Sequence, residues 1–198
     1  MEGKTYIVVG VHTTLEFLEQ SLKTDEKNVV FAFEPNPYLV EELLQRDLPT
    51  NYHIVPMGVS NFNGKSEFHI HTDSYSSSLT QWGTGPQYGE FYETRMVDVI
   101  RLDKFIKEQG IERIDYLHID AQGSDFNVLL SLGDSIELVR EGSCESLSPT
   151  TPWRLYEGQV GFGEIWDWLV SKGFDVRWEE DTNGYLKENE VTLYFKRK

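Results

Sequence analysis

The sequence predicts an α/β fold with a mostly parallel central sheet that closes on an antiparallel C-terminal strand. Three observations predict it. Short, continuous apolar runs stop abruptly at Gly10 and Glu34, the pattern of strands buried on both faces, and a further strand from Ile114 ends at Asp120. Leucines at near-helical spacing lie between the first such runs, giving two crossovers between parallel strands, right-handed by rule. The last two runs, Phe174 to Trp178 and Val191 to Phe195, flank a polar stretch containing Asn183-Gly184. That is a hairpin-type connection, so the final pair is antiparallel.

Each element follows from its residues. Tyr6 to Val9 is the first strand. Thr13-Thr14 can cap a helix carrying Leu15, Leu18 and Leu22. Val29 to Phe33 is the second strand, broken by Pro35-Asn36-Pro37, and Leu39, Leu43 and Leu44 mark the next helix. His53 to Val59 reads as a third strand and its exit, and Ser66 to His71 alternates as a half-buried strand does. Asp73 to Tyr92 is rich in Ser, Gly, Thr and aromatics without a period, and reads as a long loop of the functional or mobile kind. Met96 to Arg101 is strand-like, and Leu102 to Ile106 opens a short helix. Ile114 to Asp120 is a strand that turns through Gly123 into a helix bearing Phe126, Val128, Leu129 and Leu132. Leu138 to Glu145 fits a strand, Ser146 to Glu157 a loop, and Gly163 to Lys172 a helix.

Composition bounds the function. A chain of 198 residues suggests one domain, able to bury a core without metal or disulfide staples. The single cysteine, Cys144, excludes an intramolecular disulfide and a Cys-rich zinc site, and such usage suits a reducing, cytoplasmic setting. No apolar run reaches membrane-spanning length, and the first residues lack a signal-peptide shape. Lys and Arg number 18 against 33 Asp and Glu, a net charge of −15. That surface repels phosphate backbones and anionic lipid, so neither nucleic acid nor membrane is an expected partner.

Chemistry in such sheets sits beyond the carboxyl ends of the strands. Glu34 can accept hydrogen bonds from both hydroxyls of a ribose, or be an exposed acid before a Pro turn. Gly10 lets a cofactor approach the backbone, with helix N–H groups beyond it, or simply makes a tight turn. Asp120 can orient or deprotonate a substrate hydroxyl, help hold a metal, or cap the following helix. His118 shares its strand face and reads as a satisfied interior histidine. His69 and His71 share a partly exposed strand face and lack an evident third metal ligand, so no metal site is expected. Cys144 reads as a small buried hydrophobe. Trp153, Arg154 and Tyr156 form a substrate wall or cover the core.

Taken in order, these segments resemble the FkbM-type methyltransferases, a branch of the S-adenosylmethionine-dependent class I fold. The resemblance lies in Phe31-Ala32-Phe33-Glu34-Pro35-Asn36-Pro37, then Pro56-Met57-Gly58-Val59-Ser60 with Asn63-Gly64. Ser76-Ser77-Ser78-Leu79, Val99 to Phe105 and Leu117-His118-Ile119-Asp120-Ala121-Gln122-Gly123 follow. It extends over nearly the whole chain, as one domain from 1 to 198. Four positions depart from the family pattern. Val8 replaces the first acid, Thr14 the second glycine of the first loop, His118 a lysine and Gln122 a glutamate.

The resemblance implies a Rossmann-like class I methyltransferase sandwich and S-adenosylmethionine as cofactor. The reaction would be O-methylation of a hydroxyl on a sugar or other small metabolite. It implies that Glu34 holds the ribose, that Gly10, Thr13 and Thr14 face the methionine moiety, and that Met57 and Gly58 lie near the adenine. Asp120 then faces the acceptor hydroxyl as orienter or base. Many relatives carry helices ahead of the first strand, so the substrate site is expected to be open or completed by a partner subunit in a homo-oligomer. Two other readings compete: a catalytically silent binding module on the same fold, and an NAD-dependent oxidoreductase. The latter lacks the glycine fingerprint of dinucleotide sites.

Overall fold

A computed structural model describes residues 3–13, 25–180 and 189–198. Thr14, the helix expected to carry Leu15, Leu18 and Leu22, and the Asn183-Gly184 turn lie outside the described residues.

The strands of the main sheet are β1 (Thr5–Val9), β2 (Val29–Phe33), β3 (Tyr52–Val55), β7 (Ile114–Ile119), β8 (Val139–Leu147), β9 (Phe174–Glu180) and β10 (Glu190–Arg197). Their order across the sheet is β3-β2-β1-β7-β8-β10-β9. Every pairing from β3 to β8 is parallel, and β10 runs antiparallel to both its neighbours. The order reverses between β1 and β7, and that switch point places a crevice at the carboxyl ends of these two strands.

A smaller sheet follows β3. It consists of β4 (Gly58–Val59), β5 (Gly64–His71) and β6 (Phe91–Ile100), in the order β4-β6-β5. The segment read as one strand from His53 to Val59 is therefore two strands in two sheets. Pro56 lies between them and has no N–H to continue a ladder. β6 starts at Phe91, well before the expected Met96; its first half is largely exposed and carries no apolar alternation to mark it.

The helices are α1 (Pro37–Leu44), α2 (Leu102–Gln109), α3 (Asp125–Ser131) and α4 (Phe162–Ser171). Asn36 caps α1 by accepting from the Tyr38 amide at 3.1 Å, and Pro37 opens the helix where a missing N–H costs nothing. α2 buries Leu102, Phe105 and Ile106 and stops at Gly110, whose φ of 64° suits glycine.

Alternation along the strands divides the interior in two. Ile7, Val9, Phe33, Leu117 and Ile119 point into the main core with α2, α3 and α4. Val8, Val30 and Ala32 point the other way, onto Val11, Leu43 and Tyr52. Each fully buried Leu, Ile or Phe contributes about 1.5–3 kcal/mol. Among the described residues no helix is long and apolar enough to cross a membrane.

Candidate active site

The crevice is built from two strand-end turns. After β1 the chain reverses through Gly10 at φ 79° and His12 at φ 46°. Glycine is needed at position 10 for more than its φ, since a Cβ there would lie 1.7 Å from the Asp120 carbonyl oxygen. The Gly10 and Val11 amides donate to the Phe33 carbonyl at 3.1 and 3.2 Å. The His12 amide donates to Glu34 Oε2 at 2.9 Å. These three amides are engaged within the protein and are not turned toward a ligand.

Glu34, at the end of β2, is 5% exposed. Its Oε1 accepts from the Asn36 amide at 2.9 Å. Burial pushes its carboxyl up to about 7, against the pull of the two amides, and the Asp120 carboxylate adds to the rise. Each oxygen has two lone pairs and holds one amide, so each keeps acceptor capacity on the crevice side.

Asp120 ends β7, and its amide donates to the Val9 carbonyl at 3.0 Å. It does not cap α3. That turn is held by Asp125, which accepts from the Ala121 amide at 2.8 Å and the Gly123 amide at 3.0 Å. Burial pushes the Asp125 carboxyl up to about 7. The Asp120 side chain lines the crevice instead. Gln122, at φ 46°, holds it there. The Gln122 amide nitrogen donates to Asp120 Oδ1 at 2.7 Å and to Glu145 Oε2 at 3.0 Å. Its Oε1 accepts from the Tyr156 hydroxyl at 2.7 Å, and its carbonyl accepts from Ser78 Oγ at 2.6 Å. Burial holds the Glu145 carboxyl well above the usual range, and the Asp120 charge adds to the rise.

The remaining wall is apolar: Leu39, Met57, Val59, Phe68 and Leu79, with Gly58 among them. The rings of His12 and Tyr75 stack at 3.8 Å, and His12 Nε2 lies 2.9 Å from Ser74 Oγ. Burial holds the His12 imidazole below its ordinary pKa. The cavity so enclosed measures about 70 Å³. Small-molecule sites span roughly 300–1,000 Å³, so a nucleoside-sized ligand requires part of this lining to move.

Glu34, Gly10, Met57, Gly58 and Asp120 thus line one crevice. Thr13 does not line it. Its hydroxyl lies 3.1 Å from His12 Nδ1, and its carbonyl accepts from Arg46. His69 and His71 are buried, contrary to the partly exposed face expected of them. The cause is the segment after Ser76, which folds onto β5. Ser78 exchanges backbone hydrogen bonds with His69, and the Trp82 ring lies 4.8 Å from that of His71. Cys144 is fully buried in the main core. Trp153 and Tyr156 pack with Leu147 and Leu155 in a small cluster, so they cover the core and do not line the crevice. Tyr75, Glu145 and the Asp125 staple were not singled out from sequence. An acid in the first turn of a helix was a visible signal for Asp125, whereas Tyr75 sits in a stretch with no period to place it.

The strand order and the crevice at the switch point define the class I methyltransferase fold, and solved structures agree. The methyltransferase FkbM from Methylobacillus flagellatus KT superposes with a TM-score of 0.60 at 12% identity, over 98% of this chain and 43% of that one. An rRNA methylase from Streptococcus thermophilus gives 0.51 at 9% identity, over 99% of this chain and 87% of that one. A precorrin-6y C5,15-methyltransferase from Geobacter metallireducens GS-15 gives 0.50 at 9% identity, over 100% and 82%. In sequence, the model of the methyltransferase FkbM domain matches residues 8–176, and the chain belongs to that family. The 2-O-methyltransferase NoeI of Sinorhizobium fredii (strain NBRC 101917 / NGR234) is 24% identical over 163 residues, 76% of this chain. The match spans 65% of the length of that relative, just under two-thirds.

Proposed function

We propose that this chain is an S-adenosylmethionine-dependent O-methyltransferase acting on a hydroxyl of a sugar or other small metabolite. One observation carries the cofactor half: the Glu34 carboxylate, anchored by an amide on each oxygen, borders an apolar crevice at the switch point. The cofactor fits this donor set. Its two ribose hydroxyls can donate to the remaining lone pairs of Glu34, and its adenine can lie against Met57, Gly58 and Leu79. S-adenosylmethionine, when bound, supplies an electrophilic methyl group and departs as a neutral thioether. The protein then has to align an oxygen with that carbon and receive one proton. Asp120, held by Gln122 on the crevice wall, is suited to both tasks.

The O-methylation half draws support from the name of the 2-O-methyltransferase relative, at low identity. The net charge of −15 favours a cationic sulfonium and disfavours nucleic acid as substrate. A reducing, cytoplasmic setting is part of the reading, supported by the buried thiol of Cys144.

A second reading is favoured by two specific features, the narrow cavity and the engaged amides of Gly10 to His12. It is a silent module that binds no cofactor. Calorimetric titration with S-adenosylhomocysteine, with NAD as control, separates the readings. Binding of S-adenosylhomocysteine supports methyl transfer. A folded chain that binds neither ligand is the silent module, and one that prefers NAD is an oxidoreductase.

A further inference from the structure

The sheet carries a second concavity on the face opposite the main core. Its floor is Val8, Tyr116, His118, Ser143 and Tyr194, from adjacent strands, and its volume is about 420 Å³. That is the size of an ordinary small-molecule site. It joins the crevice through four shared residues, Gly10, His12, Tyr75 and Asp120. Asp120 therefore stands at the junction of two spaces, one bordered by Glu34 and one floored by His118.

The chemistry of this floor changes along one sheet face. Where α1 covers the sheet, the side chains are Val30 and Ala32, packed against Leu43 of that helix. Where the cleft opens among the described residues, they are Tyr116, His118, Ser143 and Tyr194. A face destined for a helix would continue the apolar pattern. This one switches to hydrogen-bonding groups that are already ordered. The Tyr116 hydroxyl donates to Ser143 Oγ at 3.0 Å, and Ser143 Oγ lies 2.8 Å from His118 Nδ1. Having accepted from Tyr116, Ser143 has its own proton to give to Nδ1 of a neutral imidazole. Burial favours that neutral form, with the Asp120 charge opposing. With Ser143 as that donor the imidazole carries its proton on Nε2, which has no hydrogen-bond partner among the described residues. Among the described residues the cleft lining holds no cation, the Arg177 guanidinium lies 4.3 Å over the Tyr194 ring, and Asp120 repels anions from the mouth.

We propose that this cleft is the acceptor subsite, and that it takes an uncharged ring bearing neighbouring hydroxyls. One hydroxyl meets Asp120 at the junction, where the methyl arrives from the crevice. A second oxygen accepts from His118 Nε2–H, and the ring lies over Tyr116 and beside Tyr194, whose ring also carries the Arg177 guanidinium. His118 is then a positioning residue, its ring oriented by Ser143 and Tyr116. The assignment rests on the methyltransferase reading and adds to it the place and orientation of the acceptor.

The test uses the full chain loaded with S-adenosylhomocysteine and four uncharged probes: methyl β-glucopyranoside, methyl α-mannopyranoside, myo-inositol and cis-1,2-cyclohexanediol. Saturation-transfer NMR reads binding, and the His118 ring resonances report its place. At least one probe should bind, shift those resonances and lose about tenfold in affinity in His118→Leu, the worth of one to two hydrogen bonds. S-adenosylhomocysteine affinity should be unchanged, since His118 does not line the crevice. Tyr194→Ala, at the rim of the same floor, should weaken the probe in the same way and covers the case where His118→Leu does not fold. Probes that bind without moving His118 overturn the proposal, and so does the absence of binding by all four to the loaded protein. In both cases the cofactor result stands. A chain that refuses S-adenosylhomocysteine overturns the methyltransferase reading, and the acceptor assignment falls with it.

Discussion

After β1 the chain reverses through positive φ at Gly10 and His12, and a buried carboxylate, Glu34, takes the His12 and Asn36 amides. After β7 it reverses through Gln122 and Gly123, and a buried carboxylate, Asp125, takes the Ala121 and Gly123 amides. Both acids are pushed up to about 7 by burial. They differ in origin. Asp125 reaches back two and four residues along its own chain and caps its own turn. Glu34 comes from the neighbouring strand, 22 residues from His12, and borders the crevice. A local staple can be wholly enclosed by the turn it holds. A staple that bridges two strands sits at the gap between them, and so remains available to a ligand.

The sharpest way to break this comparison is at the glycines. Gly10→Ala should destabilise by about 3–5 kcal/mol, combining a left-handed φ with a clash against immovable backbone. Gly123→Ala, also left-handed at φ 87°, meets the Tyr156 Cβ at 2.4 Å, which yields only as the loop carrying Tyr156 moves, so its loss should be large but somewhat smaller. Thermal unfolding of both variants ranks them. Equal losses would mean that the two turns are equally rigid.

Next come the carboxylates themselves. Glu34→Ala should cost two charge-assisted hydrogen bonds to ribose, about 3 kcal/mol or roughly a hundredfold in S-adenosylhomocysteine affinity. Asp125→Ala should lower the unfolding temperature by a comparable free energy and leave that affinity nearly intact. Calorimetry on the folded fraction decides. A large affinity loss in the Asp125 variant would make it part of the site.

The pH dependence follows from the same pair. Below about 4 both acids are protonated in the folded and the unfolded chain. As pH rises toward 7 the unfolded chain releases these protons and the folded chain keeps them, so stability falls across that window and levels off above it. For Glu34 the effect is on the order of 3 kcal/mol. Denaturant titration from pH 4 to 8 should show this decline, reduced in Glu34→Gln. Ligand affinity should run the other way, rising as Glu34 ionises near pH 7. The smallest effect is expected at Tyr75→Ala. Losing a stack worth about 0.5–1.5 kcal/mol should speed ligand association less than tenfold in stopped-flow fluorescence.

Much of this was legible in the sequence where burial is two-sided. The strands that end at Gly10 and Glu34 are unbroken apolar runs, the one that ends at Asp120 is interrupted by Asp115 and His118, and the turn chemistry after each marks the strand end. The same signal brought Glu34, Gly58 and Asp120 to one crevice. It failed where burial depends on distant chain. Phe91 to Arg95 is mostly exposed and carries no alternation, so the start of β6 was hidden. His69 and His71 looked half-exposed because the segment that covers them begins beyond their own strand. The role of Gln122 was equally hidden, since its partners Ser78, Glu145 and Tyr156 lie 23 to 44 residues away.

The contact between position 10 and the Asp120 carbonyl bears on descent. Two turns that touch backbone to backbone cannot drift apart independently, because any side chain gained at one displaces the other. Position 8, two residues further back, carries no such constraint. Its side chain faces a small apolar cluster, where a valine meets only other side chains. In a lineage of this kind the backbone of the site outlives its side chains. Distant relatives should keep glycine at position 10 even where the acids around it have been replaced.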